Sequence, residues 1–161
     1  MKKIKFTINP IFFYSVLRSK LRLFYLQKKG IRVGKDTFIS PKAYIDTHNG
    51  STITIGSNCY ITRNVIILNH TDTYRGGPKG VWISKGGDRV LKDVVIGDNV
   101  FIGVNSVIMP GVTIGDNSVV GALSLVNKSI PPNTVWAGNP AKQISTTEDM
   151  IVKQFPKFTG Q

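Results

Sequence analysis

The sequence predicts an all-β fold in which short parallel strands stack as the turns of a triangular prism, preceded by an N-terminal amphipathic α-helix. Three observations support this prediction. An aliphatic residue recurs every six positions over residues 96–126, glycine often follows it, and the same frame appears earlier between residues 33 and 67. An amphipathic helix would repeat its apolar stripe about every 3.6 residues and a half-buried strand about every 2, so short strands bent at regular corners explain the longer period.

Residues 1–30 are predicted to form a basic amphipathic helix. Residues 1–35 carry ten Lys or Arg and no acid, in a chain of net charge +12. Asn9 and Pro10 can begin a helix, and Gly30 can close it. An apolar stripe at helical spacing, opposite Arg18 and Arg22, consists of Phe13, Leu17, Leu21 and Phe24. We expect this helix to cap the open end of the prism, to lie on an anionic membrane surface, or to do both.

The prism domain is predicted over residues 31–145. From residue 96 the repeat reads "IGDNVF", "IGVNSV", "IMPGVT", "IGDNSV" and "VGALSL", and its first positions are Ile96, Ile102, Ile108, Ile114, Val120 and Val126. The earlier units begin at Val33, Ile39, Ile45, Ile55, Ile61 and Ile67. The frame is interrupted by a short insertion at residues 46–52 and by an excursion loop at residues 71–93, and long loops in compact domains are usually functional or disordered. Residues 146–161 form a polar C-terminal tail.

These units, of the form [LIV]-G-x-x-[STAV]-x, resemble those of the hexapeptide-repeat acyltransferases. The stretch "VVIGDNVFIGVNSVIMPGVTIGDNSVVGALSLVNKSIPPNTVWAGNPAKQI" is most similar to galactoside- and maltose-type sugar O-acetyltransferases and to capsule or O-antigen acetyltransferases. The resemblance implies a left-handed parallel β-helix, although parallel crossovers are in general right-handed. It also implies acetyl-CoA as co-substrate and a homotrimer with each site between neighbouring subunits.

His70 falls at the fourth position of "ILNHTD", where the repeat ends and the excursion begins. For an isolated histidine, an exposed turn residue would be the simpler interpretation. The resemblance implies a catalytic general base, because the catalytic histidine of these enzymes stands just before such a loop, and histidine can accept a hydroxyl proton at neutral pH. His48, in the insertion, is interpreted as an exposed turn residue or as part of the acceptor pocket.

Two acids, Asp46 and Asp72, are the candidate acceptor-binding residues. Asp46 occupies a corner one coil before His70, and Asp72 follows His70 by two positions. In similar sugar acetyltransferases an Asp or Asn in the region of Asp46 contacts the acceptor. Either acid could instead orient the His70 imidazole, and either could be a solvated turn residue.

No glycine-rich phosphate loop of the GxGxxG or GxxxxGK[ST] type is present. The resemblance implies that the pantetheine arm of coenzyme A lies along an edge of the C-terminal coils. The matching cofactor-binding positions are Val104, Ala122, Asn127, Lys128 and Lys142. Related enzymes often have serine or glycine, threonine and arginine where Val104, Asn127 and Lys142 stand, and each lysine could also be an ordinary surface charge.

No metal site is expected in this chain. Two histidines and one cysteine cannot supply the three-histidine site of zinc carbonic anhydrases, which some left-handed β-helix proteins resemble. Cys59, at a fifth position, is expected to point inward as a small apolar residue. One cysteine permits no internal disulfide, and no apolar run reaches about 18 residues, so we expect a cytoplasmic protein that can lie peripherally on the inner face of the cell membrane.

The sequence therefore predicts an acetyltransferase that moves acetyl from acetyl-CoA to a sugar hydroxyl, with His70 as general base. The resemblance implies a sugar or lipid-linked saccharide acceptor in the synthesis of capsule, O-antigen or exopolysaccharide. Two alternatives stay open: N-acetylation of an amino sugar or another small acceptor, and a non-catalytic β-helix scaffold. Nucleic acid is not an expected partner, because no recognition motif accompanies the basic residues.

Overall fold

The computed structural model of the chain describes residues 18, 21–47, 50–72 and 89–154. These residues form a prism of three stacked faces, with a two-stranded hairpin beside it and a helical segment at each end. Face A contains β1 (Arg32–Val33), β4 (Ile53–Ile55), β9 (Val94–Ile96) and β12 (Thr113–Ile114). Face B contains β2 (Phe38–Ile39), β5 (Tyr60–Ile61), β10 (Phe101–Ile102), β13 (Val119–Val120), β15 (Thr134–Ala137) and β16 (Lys142–Thr146). Face C contains β3 (Tyr44–Ile45), β6 (Ile66–Ile67), β11 (Val107–Ile108) and β14 (Leu125–Val126).

Successive turns of the prism follow the repeat frame. Phe101 pairs in parallel with Val119 on face B, and Val107 pairs in parallel with Leu125 on face C. The partners in both pairs lie three repeat units apart in the sequence. Three units therefore make one turn, and each unit supplies one short strand and one corner. The predicted stack of short parallel strands is confirmed.

Both interruptions of the repeat leave the prism at one corner, between faces C and A. Across the first, Arg32 pairs with Thr54, whereas an uninterrupted turn would place its partner at position 50. Across the second, Tyr60 pairs with Phe101, whereas an uninterrupted turn would place its partner at position 78. The strands that follow each interruption pair in register with the preceding turn, so the inward residues of the later turns stay in phase.

A column of aliphatic side chains fills the prism. Less than 5% of each inward residue is exposed, and the column includes Ile39, Ile45, Ile55, Ile61, Ile67, Ile96, Ile102, Ile108, Ile114, Val120 and Val126. Smaller inward residues alternate with them, and their polar groups are hydrogen-bonded; the Ser106 hydroxyl, for example, donates to the Gly121 carbonyl at 2.9 Å. Cys59 is buried, as predicted, and its burial raises the pKa of the thiol, so it is a core residue and not a nucleophile.

Helix α1 covers residues 21–28, and residue 18 is also helical. Gly30, with φ of +84°, ends the helix in a Schellman turn, since Gly30 N donates to Gln27 O and Ile31 N donates to Leu26 O at 3.0 and 3.1 Å. The predicted end at Gly30 is confirmed. The predicted start at Asn9 and Pro10 lies outside the described residues.

The described residues of the predicted apolar stripe, Leu21 and Phe24, lie on the side of α1 that does not pack on the prism. Leu21 is 61% exposed and Phe24 is 58% exposed, whereas Leu26 is fully buried and Leu23 packs against the core. The other two stripe residues, Phe13 and Leu17, lie outside the described residues. The physical reason is the Schellman turn, which fixes Leu26 over the open end of the prism, so that closure of this end sets the rotation of the helix.

Arg22, which the sequence places opposite the apolar stripe of α1, contacts the first turn of the prism. Its side chain is half-buried, and Nη2 donates to the Ala43 carbonyl of the first turn at 2.9 Å. The guanidinium group therefore satisfies a carbonyl at the end of the prism, where no further turn supplies a donor. Through Leu26 and Arg22, α1 covers this end of the prism, which is one of the two roles that the sequence leaves open for residues 1–30.

The C-terminal end of the prism is closed by a reversal of the chain. Strand β16 pairs antiparallel with β15, and it is followed by helix α2 (Thr147–Gln154), whose Asp149 N–H donates to the Thr146 hydroxyl at 3.1 Å. This short helix occupies the first half of the predicted tail. Within the part of the chain that the structure describes, no helical segment is long and apolar enough to cross a lipid bilayer.

Candidate active site

His70 lies where the chain leaves the prism. The last bond of the turn is donated by Leu68 N to Ile108 O, at 3.0 Å. His70 then begins β7 (His70–Asp72), which pairs antiparallel with β8 (Arg89–Leu91) and so forms the base of the excursion. The His70 side chain is 21% exposed, which leaves part of the imidazole open to solvent at the mouth of the excursion.

The buried carboxylate of Asp46 contacts the His70 imidazole. Asp46 lies at the same corner one turn earlier, because its N–H donates to Ile67 O at 2.9 Å, and only 4% of its side chain is exposed. Its Oδ2 contacts Nδ1 of His70. An imidazole that donates from Nδ1 to a carboxylate has its lone pair on Nε2, where it can accept a proton, and the carboxylate then stabilises the imidazolium. A general base with an orienting partner would have this arrangement.

The residue before His70 is braced by the short insertion. The Ser51 hydroxyl donates to Asn69 O at 2.8 Å, and Asn69 Nδ2 donates back to Ser51 O at 3.1 Å. Lys92 N, at the end of the excursion, donates to Asn69 O at 3.0 Å. Since Asn69 is buried, these bonds fix the backbone from which the His70 side chain extends.

The two interruptions are also joined at their C-terminal ends. Asp93 Oδ1 accepts a hydrogen bond from the backbone N–H of Thr52 at 2.6 Å. This bond favours the carboxylate and lowers the pKa of Asp93 below its ordinary value. The described ends of the insertion and the excursion are therefore joined beside His70, and we call these residues, Ser51, Thr52, Lys92 and Asp93, the rim. This rim is not evident from the sequence, because the frame shows that two segments leave the repeat but not that both leave it at one corner.

The remaining acceptor candidates are only partly described. Asp72 ends β7, where its backbone pairs with Arg89. Its predicted contact with the acceptor stays a prediction. His48 lies outside the described residues.

The five predicted cofactor-binding residues fall on two edges of the prism. Asn127 and Lys128 follow β14 at the corner between faces C and A, two turns beyond His70. Val104 and Ala122 follow β10 and β13 at the corner between faces B and C. Lys142 begins β16 and pairs with Ala137 of β15. It therefore lies at the end of face B that is next to the corner between faces B and C. In one copy of the chain, face C separates the two groups.

The corner between faces B and C carries a narrow apolar edge. A Cβ at Gly103 would lie 2.5 Å from Ala122 N, so only glycine allows the two turns to stack this closely. Outside them, Val104 and Leu123 are both exposed, and Leu123 N donates to Val104 O at 2.9 Å. The predicted cofactor-binding set does not include Leu123, which stands at the fourth position of its unit, where most other units have Asn or Asp.

Among the residues that the structure describes, no group of three or more His, Cys, Asp or Glu side chains could hold a metal ion. The prediction that the chain needs no metal stays a prediction.

The family model "Bacterial transferase hexapeptide (six repeats)" matches residues 93–128. Protein CapG of Staphylococcus aureus is 38% identical over 140 residues, which cover 84% of this chain and 77% of that protein. The chain belongs to the hexapeptide-repeat acetyltransferases. This confirms the resemblance predicted from the repeat.

Two further relatives of this hexapeptide-repeat chain carry names that bear on chemistry. Galactoside O-acetyltransferase of Escherichia coli (strain K12) is 39% identical over 132 residues, covering 73% of this chain and 64% of that protein. The crystal structure of a hexapeptide-repeat acetyltransferase of Vibrio cholerae O1 biovar eltor, complexed with acetyl coenzyme A, has a TM-score of 0.62 and 35% identity, covering 72% of this chain and 60% of that one. The chain thus spans less than two thirds of the length of each of these two relatives.

Proposed function

We propose that this chain transfers the acetyl group of acetyl-CoA to a sugar hydroxyl in the synthesis of a surface polysaccharide such as capsule, O-antigen or exopolysaccharide. The observation that carries the proposal is the contact between His70 Nδ1 and the buried Asp46 carboxylate at the mouth of the excursion. Similarity to a galactoside O-acetyltransferase supports a sugar acceptor, and similarity to an acetyltransferase solved with acetyl coenzyme A supports the donor.

In the proposed reaction, Nε2 of His70 takes the proton of the acceptor hydroxyl as its oxygen forms a bond to the acetyl carbonyl carbon. Acetyl-CoA supplies an activated thioester whose carbon–sulfur bond breaks when the tetrahedral adduct collapses. The proton on the imidazolium then passes to the departing thiolate, so charge and atoms balance. Asp46 fixes the imidazole and stabilises its cationic form, and no covalent enzyme intermediate is required.

Acetyl-CoA binding is proposed to involve Val104, Ala122, Asn127, Lys128 and Lys142. These residues lie on two edges of one chain, and a site that needs both edges can be completed when the His70 edge of one copy meets the Val104 edge of the next. This separation supports the proposed homotrimer, in which every copy gives one edge to each neighbour. The proposed winding of the β-helix is left-handed, as the resemblance implies.

The proposed location is the cytoplasm, with peripheral contact on the inner face of the cell membrane through residues 1–30. A lipid-linked saccharide is then the acceptor class that such an enzyme would meet. The excess of cations in residues 1–35 supports this contact.

The experiment measures acetyl transfer from acetyl-CoA to a panel of sugars and amino sugars, with product analysis to separate O- from N-acetylation. His70→Gln should lower kcat by about 10²- to 10⁴-fold, and Asp46→Asn by at least about tenfold, because the first removes the base and the second its orienting carboxylate. Asp36→Asn, at an exposed corner of the prism, is the matched control.

The outcomes separate the alternatives. Full turnover by His70→Gln would show that His70 is not the base. Products acetylated only on nitrogen would favour an amino-sugar N-acetyltransferase. A wild-type chain that fails to bind acetyl-CoA would favour a non-catalytic scaffold.

A further inference from the structure

We propose that the outward face of α1 is a docking surface for an anionic lipid bilayer. This face consists of Leu21, Phe24 and Tyr25, together with Lys28 and with Lys29 in the turn that follows. The residues follow the spacing of one helix face, three or four positions apart, and they are opposite to Leu26. The inference rests on the proposed membrane contact and identifies which part of the N-terminal segment meets the lipid. This part includes Leu21 and Phe24 of the stripe that the sequence predicts and adds Tyr25, Lys28 and Lys29.

The outward face is apolar and exposed although the helix itself is firmly attached. Leu21, Phe24 and Tyr25 are 61%, 58% and 49% exposed. The helix has a separate apolar face for the prism, where Leu26 is fully buried and Leu23 packs on the core. The role of the helix in closing the end of the prism therefore does not explain why Leu21, Phe24 and Tyr25 are apolar and exposed. Contact with a second partner explains it.

The charge of this face is suited to a lipid headgroup region. Nζ of Lys28 lies 4.8 Å from the centroid of the Phe24 ring, and Nζ of Lys29 lies 6.0 Å from that of Tyr25. Amphipathic helices that lie in the interface bury apolar residues below the headgroups while lysine stems keep their ammonium groups at the level of the phosphates. No acid occurs in residues 1–35 to weaken attraction to anionic lipid.

Other occupants fit this face less well. A second copy brought against it symmetrically would set its lysines against the same lysines, with no acid in either segment to compensate them. A single-stranded nucleic acid would stack its bases on open aromatic rings, but lysine ammonium groups already lie over Phe24 and Tyr25. An acidic protein surface remains as an outcome of the test.

The test is co-sedimentation of the full chain with phosphatidylcholine vesicles that contain or lack phosphatidylglycerol. Wild type should bind the anionic vesicles and not the neutral ones, and binding should weaken with salt. Lys28→Gln/Lys29→Gln should partition about 30-fold more weakly into anionic vesicles, as expected for the loss of two cations near the surface. Phe24→Ser/Tyr25→Ser should lose at least about tenfold, because the apolar anchor is removed at constant charge.

Matched controls keep the outcome specific to this face. Lys92→Gln/Lys153→Gln has the same net charge as the first variant and removes exposed lysines outside α1, and Tyr44→Ser removes an exposed aromatic of face C. Both should bind like wild type. The proposed docking surface would be overturned if Phe24→Ser/Tyr25→Ser bound anionic vesicles as tightly as wild type. It would also be overturned if wild type bound neither kind of vesicle and instead bound an acidic protein. Acetyl transfer to a soluble acceptor is measured in parallel, so that failure of the proposed catalytic function is distinguished from failure of docking.

Discussion

At the scale of single residues, Leu123 departs furthest from the pattern of the prism corners. Eight described residues other than glycine have positive φ, and all are Asn or Asp except Leu123, with φ of 59°. Asn and Asp tolerate the left-handed region through local hydrogen bonds, whereas a residue without such a group carries a cost of about 1–2 kcal/mol. Leu123 is also 69% exposed. A leucine with a positive φ and an exposed apolar side chain is expected at a position where it contacts a ligand or a neighbouring copy.

Leu123→Asn should stabilise the fold and weaken acetyl-CoA binding at the same time. Asparagine relieves the backbone cost, and it can extend the side-chain ladder in which Asn64 Nδ2 donates to Asn105 Oδ1 at 3.0 Å one turn below. The free energy of unfolding in urea should rise by about 1 kcal/mol. The KM for acetyl-CoA should rise with little change in kcat, because an apolar contact of the proposed pantetheine edge is lost.

The control for Leu123→Asn is Val95→Thr, which replaces an exposed apolar residue on face A between Thr54 and Thr113. It should leave the KM for acetyl-CoA unchanged. A stability gain in Leu123→Asn without any rise in KM would show that the side chain has no part in binding the donor.

At the scale of elements, the described ends of the insertion and the excursion are hydrogen-bonded to each other and to the residue before His70. Ser51 is hydrogen-bonded to Asn69 at one end, and Thr52 is hydrogen-bonded to Asp93 at the other. These bonds cross between segments that the repeat alone treats as separate. Acceptor choice is therefore expected to depend on both segments, and the Asp93 bond should make the rim sensitive to acid.

Asp93→Asn should reduce the dependence of stability on pH in the acid range. The pKa of Asp93 is lower in the folded chain than its ordinary value of 3.8, so its carboxylate contributes stability above that value and loses it as pH falls through the folded pKa. Urea midpoints should be lower for Asp93→Asn than for wild type at neutral pH, and the two should converge once wild-type Asp93 is protonated. A difference that stayed constant with pH would contradict the charge-dependent bond to Thr52.

The short strands could be predicted from the sequence because each unit repeats an aliphatic residue at its inward first position. A six-residue period is compatible with few folds other than a stack of such strands. The rotation of α1 could not be predicted, because Leu26 and Leu21 are equally apolar and only the Schellman turn at Gly30 selects which of them covers the prism. Similarly, the frame put Asp46 and His70 at corners. That the two side chains meet depends on the path by which the insertion leaves and rejoins the prism, which has no sequence signature.

At the scale of the whole molecule, one prism carries part of the proposed site on each of two edges. His70, Asn127 and Lys128 line the corner between faces C and A, and Val104 and Ala122 line the next corner. In a monomer of this shape, face C separates the proposed base from the apolar edge. Assembly and catalysis are therefore coupled in the proposed trimer, whereas the described strand pairs of the prism all form within one chain.

Removal of the excursion tests whether the prism folds independently of the rim. Deleting residues 71–93 joins His70 to Val94 in an unbroken six-residue unit, and it brings Phe101 to the position where an uninterrupted turn places the partner of Tyr60. The shortened chain should unfold cooperatively with a β-type circular dichroism spectrum, at a lower urea midpoint than the full chain because the bonds to Asn69 and Thr52 are lost. It should no longer transfer acetyl to the acceptor.

The matched control for the deletion also removes His70 itself, and so leaves a five-residue unit. Such a unit is one residue too short for the frame, and pulling the chain into line would turn Ile96 from the inside of the prism to the outside. We expect this second variant to lose cooperative unfolding although it differs by a single residue. If the deletion of 71–93 also lost cooperative unfolding, the excursion would be part of the folding unit, and the prism would not be the independent scaffold that its uniform three-unit turn indicates.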